Sequence, residues 1–483
     1  MIDPSLRTIL AEPHANAILE TFRSIGYSLE MAVADIVDNS ISAGSKEIDI
    51  QFNWDGPDSW ITVTDNGYGM SETEIVDAMR PGSHNPLAER RADDLGRFGL
   101  GLKTASFSQC RTLTVISRKP DQQPAYWCWS LDHVAETNRW ELIQVLAKPH
   151  LLEACRRLTG GTIVLWEDLD RLTSGTKSDN QKHLNNFLDA AASVKQHLSM
   201  VFHRFLTHER LKIAFNGNPV EPWDPYLHGQ PGLQPQADEP LAGGLVMVKG
   251  FVLPHISKLT TAMHKKGGGP NGWNDQQGFY IYRNERLLVA GSWLGMFKKE
   301  EHYKLARIRL DITNQQDAEW QIDIKKSVAR PPVVLRGELK RIADSVRKLS
   351  EEIYRHRGKV IQRSLTQTFV PVWQEKVRHN KRFYAINRDH PLVQQALARP
   401  APDTTSVLLQ MLEETVPVPL ITLSESREPD TQPVSYDNLQ PELLQAARLV
   451  YDSLRQSMSE DEAKSYLLMT EPFSDFPQLL EGL

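Results

Sequence analysis

The sequence predicts an α/β protein: an N-terminal α/β domain, a second mixed α/β domain and a helical C-terminal region. Three observations carry that prediction. A chain of 483 residues is long enough for about two to four domains that each bury a core. Residues 1–220 alternate helix-period and strand-period segments, with glycine clusters where strands give way to helices. A proline- and glycine-rich linker at 221–243 then precedes a second run of strands at 244–332. Beyond it lie a helical, locally basic region at 333–423 and, at 424–483, a polar linker with a small helical tail.

Composition excludes several classes of function. A formal charge of −6 is no global basic signature, so any nucleic-acid surface must be local. Cys110, Cys128 and Cys155 are an odd, widely spaced trio without paired ligand spacing. They point to a reducing compartment and away from a disulfide framework or a zinc site. No apolar run reaches membrane-spanning length, and the start MIDPSLRTILAEP lacks a basic-then-apolar signal. The expectation is a cytoplasmic protein with no membrane partner.

Ala15 to Phe22 reads as a short helix leading into Ser28 to Ala43, SLEMAVADIVDNSISA, which organises the domain. Ser28 suits its N-cap. Leu29, Met31, Ala32, Val33, Ile36, Val37 and Ile41 make it apolar over most of its surface. Asp35, Asp38, Asn39 and Ser42 recur at i, i+3, i+4 and i+7 and form one polar stripe. Carboxylates on a helix buried on most sides need a partner or a ligand. The alternative is a surface helix whose wet face is acidic. Ala43-Gly44-Ser45 stops the helix, and strands Ile48 to Trp54 and Trp60 to Thr64 flank the turn Asp55-Gly56-Pro57. Such a hairpin predicts an antiparallel or mixed sheet.

The second strand runs into Asp65-Asn66-Gly67-Tyr68-Gly69-Met70. A buried carboxylate followed by two glycines suits recognition of an exocyclic amine, with backbone passing close to a flat ring. Alone, D-x-G-x-G is a common turn. A second cluster, LGRFGLGLK at Leu95 to Lys103, spaces Gly96, Gly99 and Gly101 as G-x-x-G-x-G before a helix start at Thr104. Amides freed by glycines at a helix N-terminus suit an anion, and Lys103 adds a positive charge. The Rossmann fingerprint fits poorly, because the following strand, Thr112 to Ser117, ends without the acid that motif requires.

In this order and spacing, helix D-x-x-x-N, strand-end D-x-G-x-G and G-x-x-G-x-G-L-K resemble the GHKL ATPases. That family takes in gyrase, the large heat-shock chaperone, histidine kinases and the MutL mismatch-repair protein, with the MORC proteins close by. GRFGLGLKTAS is most similar to the MORC and MutL branch. Gly160 to Trp166, GGTIVLW, is similar to the family strand whose threonine, here Thr162, reaches adenine through water. The resemblance covers about residues 15–217 and implies a Bergerat-type α/β sandwich that binds ATP and Mg²⁺. It implies that Asp65 binds the adenine amine, Asn39 the Mg²⁺, and Gly99, Gly101 and Lys103 the phosphates. Gly67, Gly69, Met70, Gly96 and Leu100 join the nucleotide-binding set. Asp35 takes the place of the base that orients water, where the family usually has glutamate. One methylene fewer puts the rate of hydrolysis in question more than binding. The charged stretch between Met79 and Leu95 reads by itself as a surface loop, and between two nucleotide motifs it reads better as a mobile lid over the phosphates.

Farther on, Leu184 to Leu206 has a long helix pattern, and Leu211 to Phe215 runs into the hairpin turn Asn216-Gly217-Asn218. Strands are predicted at Gly244 to Val252, Phe279 to Tyr282, Leu287 to Ala290, Ala306 to Ile312 and Trp320 to Ile324, with His264 to Asn274 as a glycine-rich loop. This domain resembles the family's transducer, in which a lysine reaches the γ-phosphate. Lys325 or Lys326 matches that position, against the alternative of a solvated pair at a strand end. Val333 to Arg363 is helical, and the basic stretch 336–382, interleaved with Trp373, Phe383 and Tyr384, is either a DNA or partner-protein surface or a solvated face. The expected function is a Mg²⁺-dependent ATPase whose nucleotide state gates homodimerisation, acting on DNA or a partner protein. A nucleotide-regulated scaffold with little hydrolysis is the alternative. A histidine kinase is disfavoured, because no dimerisation helix with a candidate histidine precedes the nucleotide domain.

Overall fold

Local sequence signals set the first elements. The Ser28 side chain accepts a hydrogen bond from Met31 N and caps the organising helix, and Ser71 forms a capping box with Glu74 at the start of the next helix. In the computed structural model the described residues are 13–82, 101–317, 319–322, 329–355, 370, 372–378, 381–398, 402–415, 440–470 and 472–473. The chain forms two compact units, Met1–Val360 and Ile361–Leu483.

The first unit begins with α1 (Ala15–Arg23), α2 (Leu29–Ser42), β1 (Glu47–Asn53), β2 (Trp60–Asp65), α3 (Glu72–Met79) and α4 (Gly101–Phe107). Next come β3 (Thr112–Arg118), β4 (Ala125–Ser130), α5 (Leu131–Thr137), α6 (His150–Arg157), β5 (Gly161–Glu167) and α7 (Asp170–Thr173). Then follow α8 (Gln181–Val201), α9 (His203–Thr207), β6 (Lys212–Phe215) and β7 (Asn218–Pro219). The strands make one sheet in the order β4-β3-β5-β2-β1-β6-β7, antiparallel except for the parallel pair β1–β6. The mixed α/β sandwich is therefore as the sequence predicts. Period-2 burial of Ile48, Ile50 and Phe52 turns one face of β1 to the helices. Ala32, Val33, Ile36 and Val37 of α2 join Val115, Val164, Val194 and Leu198 in that core. Each buried branched side chain is worth about 1.5–3 kcal/mol. On the opposite face Ile116 and Ile163 pack with Cys155 of α6.

A second sheet follows in the same unit. Its elements are β8 (Gln234–Leu241), β9 (Val246–Val252), α10 (Thr261–Gly268), α11 (Gly272–Asp275), β10 (Gly278–Arg283), β11 (Arg286–Ser292), β12 (Ala306–Ile312) and α12 (Arg336–Arg355). Strand order is β11-β10-β12-β9-β8, with β10–β12 the parallel pair. Leu339, Ile342, Ala343 and Val346 of α12 pack with Val248, Ile308 and Leu310. A Cβ on Gly250 would come within 2.5 Å of Val346 Cγ2, so that glycine lets the helix approach the strand. Tyr280, Tyr282 and Leu287 of this sheet belong to the same core as α2 and α8.

Several expectations change here. The stretch 221–243, read as a linker, supplies the edge strand β8, where prolines are tolerated. His264 to Asn274, read as a loop, forms α10 and α11 instead. A Cβ on Gly267 would meet Trp273 Cζ2 at 2.7 Å, so the glycines there serve packing rather than flexibility. Trp320 to Ile322 is a turn and not a strand, with Trp320 N bonded to Gln316 O and its ring fully buried. The long helix at 184–206 breaks at Phe202 into α8 and α9. Gly96, Gly99, Leu100, Ile324, Lys325 and Lys326, with most of the stretch read as a lid, lie outside the described residues.

The second unit holds the hairpin β13 (Trp373–Arg378) and β14 (Lys381–Ile386), then α13 (Pro391–Leu397), α14 (Pro402–Glu414), α15 (Gln440–Leu454) and α16 (Glu460–Leu468). Part of the region expected to be helical is thus an antiparallel hairpin. Its aromatic and β-branched residues favour strands, a preference that the run of charges obscures in the sequence. Ala447, Val450, Leu467 and Phe473 form the local core. Among the described residues no helix is long and apolar enough to cross a membrane.

Candidate functional site

The polar stripe of α2 divides in two. Asp35 and Asp38 are 2% and 1% exposed, whereas Asn39 and Ser42 face solvent. Asp35 Oδ2 accepts from the Tyr27 hydroxyl at 2.9 Å, and its Oδ1 lies 3.9 Å from Arg286 Nη2. Asp38 accepts a bifurcated hydrogen bond from Arg286 Nε, at 2.9 Å to Oδ1 and 2.8 Å to Oδ2. Arg286 opens β11, so a residue of the second sheet supplies the cation that the buried carboxylates require. The turn R-N-E-R is visible in the sequence, but its long-range partner is not. The burial of Asp38 was the signal that a cation must exist.

Ser40, outside the stripe, links α2 to the end of β2. Its hydroxyl donates to Asp65 Oδ2 at 2.9 Å, while Gly67 N donates to Oδ1 at 2.9 Å. Burial raises the Asp65 pKa, and the hydrogen bonds from Gly67, Ser40 and Thr162 partly offset that shift. The glycines around this carboxylate are required by contact. Gly69 has φ +68°, and a Cβ there would lie 1.8 Å from Arg118 O. A Cβ on Gly67 would come within 2.8 Å of Ala43 O. Beside them, Ser117 Oγ donates to Gly161 O at 2.9 Å, accepts from Met70 N at 2.8 Å and lies 2.8 Å from Thr162 Oγ1. With its one proton directed to Gly161, Ser117 takes the Thr162 proton, which leaves the Thr162 oxygen an acceptor. Asp65, Gly67, Gly69, Met70 and Thr162 are therefore neighbours in the fold. Tyr27, Ser40, Ser117 and Arg286 were not singled out in the sequence.

At Gly101, the first described residue of α4, a Cβ would sit 3.5 Å from Asp35 Oδ2. Lys103 is only 2% exposed, and its ammonium donates to Ala78 O at 2.9 Å and Arg80 O at 3.2 Å, at the end of α3. Burial lowers its pKa to about 8. A separate cavity of about 800 Å³, lined by Phe22, Trp127, Trp129 and Trp140 among others, shares no lining residue with the candidate set. Among the described residues, no group of three or more His, Cys, Asp or Glu is placed to hold a metal ion.

Part of the chain is similar to known proteins. Residues 27–162 match the family described as histidine kinase-, DNA gyrase B-, and HSP90-like ATPase. The chain is 30% identical over 88 residues to the ATPase morc-1 of Caenorhabditis elegans, covering 18% of this chain and 10% of that protein. It is 32% identical over 102 residues to the DNA mismatch repair protein MutL of Shewanella loihica, covering 20% of this chain and 16% of that protein. The chain thus spans a small part of either relative. The family match spans the segment that holds α2, Asp65 and Thr162, and that segment is similar to the GHKL ATPases.

Proposed function

We propose that the chain is an ATPase that binds ATP with Mg²⁺ along α2 and hydrolyses it slowly. The observation that carries this reading is the placement of groups on that one helix. Asn39 faces solvent, Ser40 beside it holds Asp65, and Asp35 one turn earlier meets Tyr27. In this reading the Asp65 carboxylate accepts the adenine amine, and Gly67 and Gly69 let backbone pass beside the ring. Met70 and Thr162 line the same end through Ser117.

Asn39 is the exposed protein ligand for Mg²⁺. In this reading the ion keeps its water and draws on phosphate oxygens. When bound, the ion offsets phosphate charge. Gly96, Gly99, Leu100 and Gly101 would present backbone to the phosphates. Lys103 would join them by exchanging the carbonyls of Ala78 and Arg80 for phosphate oxygens. Asp35 would orient the attacking water, and Lys325 or Lys326 would bring the second domain to the γ-phosphate. Nucleotide-gated homodimerisation, action on DNA or a partner protein through 336–382, and a cytoplasmic location complete the proposal.

A second reading is a nucleotide-regulated scaffold with little hydrolysis. It is favoured by Asp35 itself, which is shorter than glutamate and already engaged by Tyr27, with Arg286 close by. An ATPase assay on the purified full chain, with and without Mg²⁺ and DNA, separates the two. Mg²⁺-dependent turnover that Asp35→Ala removes supports the ATPase. ATP binding without turnover supports the scaffold, and no binding refutes both.

A further inference from the structure

A second arginine shares the turn that carries Arg286. Between β10 and β11 the chain reverses through Asn284 and Glu285, both at positive φ (46° and 70°), as a two-residue hairpin turn requires. Arg286 leaves one side of this turn toward α2, where its Nε meets both oxygens of Asp38. Arg283 leaves the other side and forms a two-bond fork with Asp317, Nε–Oδ1 2.7 Å and Nη2–Oδ2 2.7 Å. Glu285 pairs with Arg210, and Asn284 N bonds to Ile312 O at 3.2 Å. The turn is thus fixed on several sides, while the Arg286 head lies on the helix that carries Asp35 and Asn39.

The junction does not need Arg286 simply to hold together. Tyr280, Tyr282 and Leu287 already extend the core of the first sheet, and His203 and Tyr226 bond the Tyr282 hydroxyl at 2.8 and 3.1 Å. A buried ion pair is a poor source of net stability, because desolvation offsets most of the attraction. What it provides is a directional constraint: the Nε–H of a planar guanidinium, shared between both oxygens, fixes the carboxylate it binds. Asp38 is three residues after Asp35 and directly before Asn39, so fixing Asp38 fixes how α2 presents both.

The geometry points to Arg286 as a positioning residue: through Asp38 it sets the placement of Asp35 and Asn39, so the β10–β11 turn couples the second sheet to the chemical step. This inference rests on reading α2 as the nucleotide helix. Arg286 has no assigned contact with nucleotide, so its removal should act on turnover rather than on affinity.

The test uses the full chain as wild type, Arg286→Gln, and the double variant Arg286→Gln with Asp38→Asn, which removes the Asp38 charge together with its cation and leaves Asp35 with its Tyr27 hydrogen bond. Two readouts are taken: amide exchange of the α2 peptide by mass spectrometry, and ATP turnover beside ADP affinity. Both variants should exchange α2 amides at least tenfold faster while β12 stays protected. Their kcat should fall about ten- to a hundredfold with ADP affinity within about threefold of wild type. The two losses should be alike, because both variants remove the same link. If α2 exchange and kcat match wild type in the double variant, the inference is overturned. It is also overturned if ADP affinity falls as far as kcat, which would make Arg286 part of the binding site. Should the wild type bind no nucleotide, the proposed function fails. Unchanged α2 exchange then also overturns the positioning role, whereas faster exchange limited to α2 still supports it.

Discussion

Replacing Asp65 with asparagine should move stability and ligand affinity in opposite directions. In the free protein both carboxylate oxygens are engaged, Oδ1 by Gly67 N and Oδ2 by Ser40 Oγ, each at 2.9 Å. Asparagine fits the same frame. Its oxygen must face Gly67 N, which only donates, and its amide then donates to Ser40, whose hydroxyl also accepts. The sign of the stability change follows from the raised pKa of Asp65, whose ordinary value is 3.8. An acid whose folded pKa is raised contributes stability below its unfolded pKa and loses it as pH rises through the folded value. At neutral pH the ionised carboxylate is therefore a net cost, and Asp65→Asn should be as stable as wild type or more so. Nucleotide meets the opposite situation, losing a charged acceptor and facing an N–H donor on the Ser40 side. That loss is worth about 2–4 kcal/mol, roughly a thirtyfold to several-hundredfold weaker Kd. Calorimetric titration with ATP and a thermal melt of the same sample read both effects. Wild-type affinity in the folded variant would refute the adenine assignment, and a large drop in melting temperature would refute the burial argument.

Other substitutions probe separate parts of the site. Asp35→Ala should keep ATP binding and lower hydrolysis by about 10²–10⁴-fold, read by phosphate release; wild-type turnover would make Asp35 structural. Lys103 titrates near 8 when folded against 10.5 when unfolded, so the unfolded chain holds the extra proton between those values. Wild-type stability should thus rise by up to roughly 3 kcal/mol relative to Lys103→Met from pH 8 to 10.5, and urea unfolding at both ends checks it. Gly69→Ala combines a φ of +68° with a Cβ 1.8 Å from Arg118 O, and should cost about 2–5 kcal/mol in chemical denaturation. Gly101→Ala, with its nearest contact at 3.5 Å, should unfold like wild type.

Much of the first sheet was legible because its signals are local. The Ser28 cap, the alternation of Ile48, Ile50 and Phe52, and the hairpin into Trp60 each depend on a few neighbours. Asp65 was legible for the same reason, since its glycines follow directly. What the sequence did not disclose are pairings across long separations. Arg286 reaches Asp38 from 248 positions away, and Ser40 reaches Asp65 from outside the apparent stripe. Glycines misled where they serve close packing: Gly267 makes room for Trp273 inside a helix that was expected to be a loop. Trp320 misled in the opposite way, because a buried aromatic after a strand reads as another strand when a turn buries it equally well.

The most direct measurement is a crystal structure of the full chain with Mg²⁺ and a non-hydrolysable ATP analogue. The adenine amine should lie within hydrogen-bond distance of the Asp65 carboxylate, the metal on Asn39 Oδ1, and the γ-phosphate on the Asp35 side of α2. Nucleotide bound elsewhere, or an adenine that leaves Asp65 with only Gly67 and Ser40 as partners, would contradict this placement.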